Sequence, residues 1–228
     1  MDDGTQDDIG RVAALNDPLR RRLYEYITAR RREVSRDEAA KELGIPRSLA
    51  AFHLDRLVAH GLLGTSFRRP PGRSGPGAGR PTKYYRRAER DVEVTIPPRR
   101  YELAAQLFAC ALDRADSTEA RAALAETART FGTVLGNEIH AIGGDVLAAA
   151  EDVLGAYGYE PERAPDGSIR LRNCPFHALA ADHTALVCGM NLDLFRGIVE
   201  GMQEDGLVAE LRPEPGMCCV VLRTQASE

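Results

Sequence analysis

The sequence predicts an α+β fold in three parts: an N-terminal unit of helices with a two-stranded wing, a helical connecting segment, and a small C-terminal α+β unit. Three observations lead there. From Ser35 onward the stretch SRDEAAKELGIPRSLAAFHLDRLVAHGLL alternates helix starts, stops and apolar spacing like two short helices around a tight turn. Two strand-like runs then flank RRPPGRSGPGAGRP at 68–81, where glycine and proline forbid a packed element. From about residue 145, short extended runs and turn signals replace the long helical spacing.

The first eight residues, MDDGTQDD, read as a disordered tail, and residues 9–96 as the N-terminal unit. A helix from Ile9 to Leu15 precedes the break Asn16-Asp17-Pro18. Asp17 is placed to cap the next helix and Pro18 to fill its first position, where a missing N–H is no loss. That helix, running to about Arg30, carries Leu19, Leu23, Tyr26 and Ile27 as one apolar stripe. Ser35 can cap a third helix running to Leu43, with Glu38 completing a capping box. Gly44 stops it, because glycine enters the left-handed region without strain. Pro46 opens a fourth helix in which Ala50, Leu54 and Leu57 recur at helical spacing, and Gly61 ends the run. Leu62–Phe67 and Thr82–Arg86 are the strands of a wing, and Val92–Ile96 alternates as a further short strand.

The connecting segment, 97–143, is helical, with Tyr101, Leu103, Leu107, Phe108 and Leu112 apolar in its first half and Leu124, Phe131, Leu135 and Ile139 in its second. Apolar faces between two units commonly pair subunits, so a homodimer is expected. The C-terminal unit, 144–228, begins with a helix from Asp145 to Tyr157. A hairpin turns at Asp166-Gly167, and Pro175–Asp182 forms a short turn or helix. An amphipathic helix spans Leu192–Gln203, and strands Leu207–Arg212 and Cys218–Thr224 meet at Glu214-Pro215-Gly216.

Two short helices joined so tightly form a helix-turn-helix, whose second helix lies in the major groove of DNA. Arg47, Ser48, Ala51, Phe52 and His53 then face the groove, opposite Ala50, Leu54 and Leu57. Arg47 suits a guanine edge, while Ala51 and Phe52 suit thymine methyl groups. His53 has an equal second reading as a helix-packing residue with a phosphate hydrogen bond. Arg68, Arg69, Arg73, Arg80 and Lys83 of the wing are expected on phosphates or in the minor groove, with steep salt dependence.

Charge agrees with this reading. The 228-residue chain has net charge −4, yet between Asp17 and Arg87 17 Lys and Arg stand against 7 Asp and Glu. A basic module on an acidic body suits a double-stranded DNA partner and argues against a uniformly basic chromosome-coating protein. No apolar run approaches the ~18 residues of a membrane span, and the acidic N-terminus lacks a signal-peptide pattern. A cytoplasmic protein is therefore expected. Asp145, Glu151, Asp152, Asp182, His177 and His183 offer acid–base groups, but no GxSxG, HExxH, phosphate loop or dinucleotide fingerprint accompanies them, so no enzyme is expected.

On these residues the stretch AAKELGIPRSLAAFHLDRLVAHGLL, with its HLDRL…GLL ending and the later GRPTKYY, resembles the winged-helix domain of ArsR-like bacterial transcriptional regulators over about residues 9–88. The resemblance implies a repressor that reads two half-sites of an operator as a dimer.

Four of the five cysteines lie beyond residue 173, which marks the C-terminal unit as a candidate sulfur site. Cys174 and Cys188 flank one segment, and a last strand beginning at Cys218-Cys219 can bring a third thiolate beside them. Thiolates favour iron–sulfur clusters and zinc, and three cysteines with His177 could hold zinc tetrahedrally. Cys110, between Ala109 and Ala111 on an apolar helix, reads as a core residue. The pattern NCPFHALA…VCGMNLDLFRGIV…GMCCVVL is similar to the sensor domain of SufR-like iron–sulfur repressors over about residues 150–222. That resemblance implies Cys174, Cys188 and one of Cys218 or Cys219 as cluster ligands, with Cys218 preferred and the fourth ligand open. The alternative is a regulator that senses a small organic effector or thiol oxidation with no metal.

Overall fold

The computed structural model describes residues 3–30, 32–68, 81–88, 91–96 and 99–224, with the side chains of 3–7 left aside. The chain forms two compact units that divide at Arg99 and Arg100.

The first unit opens with α1 (Asp3–Ala14) and α2 (Pro18–Thr28). The helix begins at Asp3, so most of the segment expected as a disordered tail over 1–8 continues the first helix. Asp17 caps α2 by accepting the Arg20 N–H at 2.9 Å, with Pro18 at the first position as anticipated. Arg20 and Arg21 reach back to the Ala14 and Leu15 carbonyls at 2.9 and 3.0 Å, which occupies the open C-terminal end of α1. A two-residue strand, β1 (Val34–Ser35), leads into α3 (Arg36–Leu43) and then α4 (Arg47–Ala59). Ser35 caps α3 through the Glu38 N–H at 3.2 Å. Glu38 does not close the capping box: its carboxylate is held by the Arg32 guanidinium and the Tyr26 hydroxyl, and the arginine keeps it below the usual carboxylate range. Gly44 takes φ 65°, the left-handed stop the sequence called for. Pro46 sits one position before α4 rather than inside it.

Strands β2 (Leu63–Arg68) and β3 (Thr82–Arg87) pair antiparallel from Leu63↔Arg87 to Arg68↔Thr82. β1 was not legible in the sequence, because two residues carry no periodicity; it adds to the other edge of β3, giving the order β1-β3-β2. Residues 91–96 form no strand, contrary to expectation. Without a neighbour to pair with, alternation alone does not hold a chain extended. Leu23, Ile27, Ala50, Leu54, Leu57 and Tyr85 close the core of this unit.

The second unit contains α5 (Tyr101–Ala115), α6 (Thr118–Ile142), α7 (Val146–Ala156), α8 (His177–Asp182) and α9 (Thr184–Met202), with strands β4 (Pro161–Arg163), β5 (Ile169–Leu171), β6 (Leu207–Leu211) and β7 (Val220–Thr224). The four strands form an antiparallel sheet in the order β4-β5-β7-β6. α5 and α6 are not a free connector. α6 runs along α9, and its Leu135 and Ile139 share a core with Leu154, Leu171, Phe195, Ile198 and Leu222.

Four glycines make the α6–α9 crossing possible. A Cβ at Gly132, Gly136, Gly197 or Gly201 would stand 2.0–2.3 Å from a backbone carbonyl oxygen of the opposite helix. The two backbones therefore touch directly, and the Arg129–Glu200 ion pair and a 3.0 Å contact of His140 Nδ1 with the Met202 carbonyl extend the seam. α9 begins eight residues before the expected start at Leu192, which places Cys188 on a helix. Cys218 and Cys219 lie just before β7, not inside it.

Candidate DNA interface and cysteine site

Helix α4 turns Ala50, Leu54 and Leu57 into the core and leaves Arg47, Ser48 and Phe52 exposed, with Ala51 half-buried. Phe52 is 56 % exposed, a large apolar ring held in water. His53 turns the other way. It is 7 % exposed, its ring meets Phe52 edge-on at 5.2 Å, and its Nδ1 has no hydrogen-bond partner among the described residues. Of its two readings, the structure places it among the packing residues. Arg56, which sequence reasoning passed over, lies with its guanidinium 5.9 Å from the Phe52 ring centroid. The i to i+4 spacing of an aromatic and an arginine was the available signal.

Three cations expected on DNA are already paired. Arg47 forms an ion pair with Asp37 of α3, and Arg68 with Glu33. Arg68 also lies 5.5 Å from the Tyr84 ring centroid. Lys83 Nζ is 2.6 Å from Asp55 Oδ1, and the Tyr85 hydroxyl donates to the same oxygen at 2.9 Å. Tyr85 itself is fully buried on the central strand, and burial, with the Asp55 carboxylate adding, pushes its phenol far above the ordinary range. Arg69, Arg73 and Arg80 of the wing lie outside the described residues.

In the second unit a buried polar chain leads to the cysteines. The Tyr159 hydroxyl donates to Asn191 Oδ1 at 2.6 Å, and Asn191 Nδ2 donates to Cys218 Sγ at 3.3 Å. Asn191 is 1 % exposed, so both bonds are needed to offset the burial of its amide. Cys174 and Cys219, both half-buried, pack against the core that contains Cys218. Cys218, with burial, pushes the Cys174 thiol far up. The Cys218 backbone N–H donates to the Leu171 carbonyl at 2.8 Å, which fastens this corner to the end of β5.

The expected ligand set is only partly brought together. Cys174 and Cys218 adjoin, with Cys219 third, whereas His177 is exposed at the head of α8 and Cys188 lies on α9. Among the described residues no group of three or more His, Cys, Asp or Glu side chains is arranged to hold a metal ion. As it stands, the arrangement does not fit a three-thiolate cluster or tetrahedral zinc. Cys110 is exposed, not in the core as expected. A cleft between α6 and α9, lined by Leu124, Leu186, Met190 and Asp193, holds about 200 Å³, below the ~300–1,000 Å³ of most small-molecule sites.

Residues 15–64 match a helix-turn-helix domain family. The first unit carries a helix-turn-helix domain. The match covers α2, β1, α3 and α4 with the first residues of β2, and it supports a DNA-binding transcriptional regulator. It does not extend to the ArsR-like subgroup or to the second unit. Comparison with curated proteins and with solved structures gives no match. Among the described residues no helix is long and apolar enough to cross a membrane.

Proposed function

We propose that this regulator is a repressor whose grip on a double-stranded operator is set by the chemical state of the thiol group centred on Cys218. The observation that carries the reading is the pairing of two features. One is a helix-turn-helix face that holds Arg47, Ser48 and Phe52 in water. The other is a buried Tyr159–Asn191–Cys218 chain in a separate unit, with the half-buried Cys174 packed against the same core. A buried amide spent on a sulfur acceptor costs stability that plain packing would not, so it argues for a role beyond the core.

A change of thiol state alters what Asn191 can donate to, and Asn191 lies on α9, whose backbone touches α6. Coupling of this kind commonly changes affinity by about 5–150-fold. The exposed apolar side chains of Tyr101, Leu103, Leu107 and Phe108, spread around α5, support a homodimer, which a two-fold operator requires.

A second reading, an iron–sulfur cluster or zinc held through Cys174, Cys188 and Cys218 with His177 or Cys219, rests on the resemblance of the C-terminal pattern alone and requires Cys188 to move to the Cys174–Cys218 corner. Such a group would supply a redox- or metal-dependent charge at this corner.

The test is anaerobic purification of the full chain, with an absorption spectrum and iron, sulfide and zinc analysis. Titration of a duplex that the protein selects from a random-sequence pool follows, with and without thiol alkylation. Visible absorption with iron and sulfide supports the cluster form, stoichiometric zinc the zinc form, and a colourless metal-free protein the thiol form. Equal duplex affinity before and after alkylation overturns sensing at Cys218. Sedimentation as a monomer overturns the dimer.

A further inference from the structure

We propose that Asp55 is the positioning residue of the DNA-reading head: it ties the reading helix to the wing and keeps the Lys83 charge off the phosphate backbone, so that it raises sequence discrimination at the expense of raw affinity. The proposal rests on the helix-turn-helix reading of the first unit.

Asp55 lies on α4 in the same ladder as Ser48, Ala51 and Phe52, the row turned away from the core. Its Oδ1 takes two donors from β3, Lys83 Nζ at 2.6 Å and the Tyr85 hydroxyl at 2.9 Å. β3 is the central strand of its sheet, with Tyr85 opposite Val34 on one side and Thr65 on the other. Tyr85 is thus a post set in the core whose hydroxyl emerges at the reading helix. Lys83 completes the group, its Nζ 5.2 Å from the Tyr85 ring centroid.

Two consequences follow from elementary electrostatics. A lysine held by a carboxylate carries little net charge toward a phosphate, so Lys83 adds little to sequence-blind binding. A helix held at fixed spacing from its wing meets base edges and backbone in one register, whereas a loosened pair satisfies them separately. Removing Asp55 therefore frees one cation and unfixes one spacing. Both changes favour indiscriminate binding.

The test uses the full chain with two duplexes, one selected by the protein from a random pool and one a scramble of it, titrated across a salt series. Asp55→Asn is expected to steepen the salt dependence of scrambled-duplex binding by about 0.9 in log–log slope, the contribution of one phosphate contact. It should also reduce the ratio of the two affinities by roughly tenfold, the scale of one base contact. Lys83→Met alone leaves the slope unchanged, and combined with Asp55→Asn it restores the original slope. Tyr85→Phe, which removes one tie and no charge, lowers discrimination and leaves the slope alone. A merely structural aspartate would move stability and not the slope.

The proposal is overturned if Lys83→Met alone loses about one unit of slope, if Asp55→Asn changes neither slope nor ratio, or if Tyr85→Phe keeps full discrimination. Asp55 is exposed on the helix surface, so its variant is expected to fold, and a melting curve confirms it. If the chain selects no duplex at all, the DNA reading itself falls and this assignment with it.

Discussion

Replacing Gly197 with alanine tests whether α6 and α9 hold together backbone against backbone. The added Cβ would stand 2.0 Å from the Arg129 carbonyl oxygen, 2.8 Å from its carbon and 2.9 Å from the Thr133 nitrogen. Ordinary contact begins near 3.4 Å, so the helices must part by more than an ångström along that line. None of the three atoms belongs to a side chain, and no rotamer change relieves the overlap. Overpacking of a core costs about 1–3 kcal/mol, and the upper end applies here because the opened seam runs past the fully buried Ile198 and Met202. Alanine's better helix propensity offsets about 1 kcal/mol. The net loss is about 2 kcal/mol. Gly189 lies on the same helix with no heavy atom within 4 Å of its Cβ, so the same substitution there gains propensity alone and stabilises by up to about 1 kcal/mol. Urea unfolding of the two variants, followed by far-UV circular dichroism, is expected to separate them by about 3 kcal/mol in the transition of the second unit. Equal midpoints would refute the reasoning.

Arg47→Ala should weaken binding to a selected duplex by about 1–3 kcal/mol and to a scrambled one by much less, measured by fluorescence anisotropy; equal losses would assign Arg47 to the backbone alone. Tyr159→Phe leaves Asn191 Oδ1 without its donor in a fully buried place and should cost about 1–3 kcal/mol in thermal unfolding of the second unit, with no effect on the first. Asp17, held below its ordinary 3.8 chiefly by the Arg20 N–H, contributes stability that is present above about pH 4 and is lost as pH falls through its lowered value. Asp17→Asn keeps the cap and flattens that acid limb, while Asp17→Ala loses about 1 kcal/mol at neutral pH; an acid limb unchanged in Asp17→Asn contradicts the assignment.

Much of the first unit was legible residue by residue. Asp17-Pro18, Ser35 and Gly44 act through their nearest neighbours, so local chemistry named the caps and the stop correctly. The exposure of Arg47, Ser48 and Phe52 on α4 followed from helical spacing, whereas His53, expected on the same face, is buried. Glu38 was misread because its partner, Arg32, lies across a turn where a distant cation outcompetes the local N–H. The pairing of Arg47, Arg68 and Lys83 with Asp37, Glu33 and Asp55 was invisible for a related reason: three of those six residues looked like free charge in the composition. In the second unit the apolar rows of α5 and α6 suggested a connector. Periodicity shows that a helix has an apolar face, not which element covers it.

By itself the sequence determined most of the local helices, caps and turns, because capping and turn chemistry act over a few residues. Only the tertiary structure decided which side chains meet. It alone showed the four-glycine seam of α6 and α9, Asn191 donating to Cys218, and Asp55 holding Lys83 and Tyr85. Those contacts join residues 27–68 positions apart, a separation across which no local periodicity carries information. What fixes them is the requirement that buried polar groups and close-packed backbones find partners.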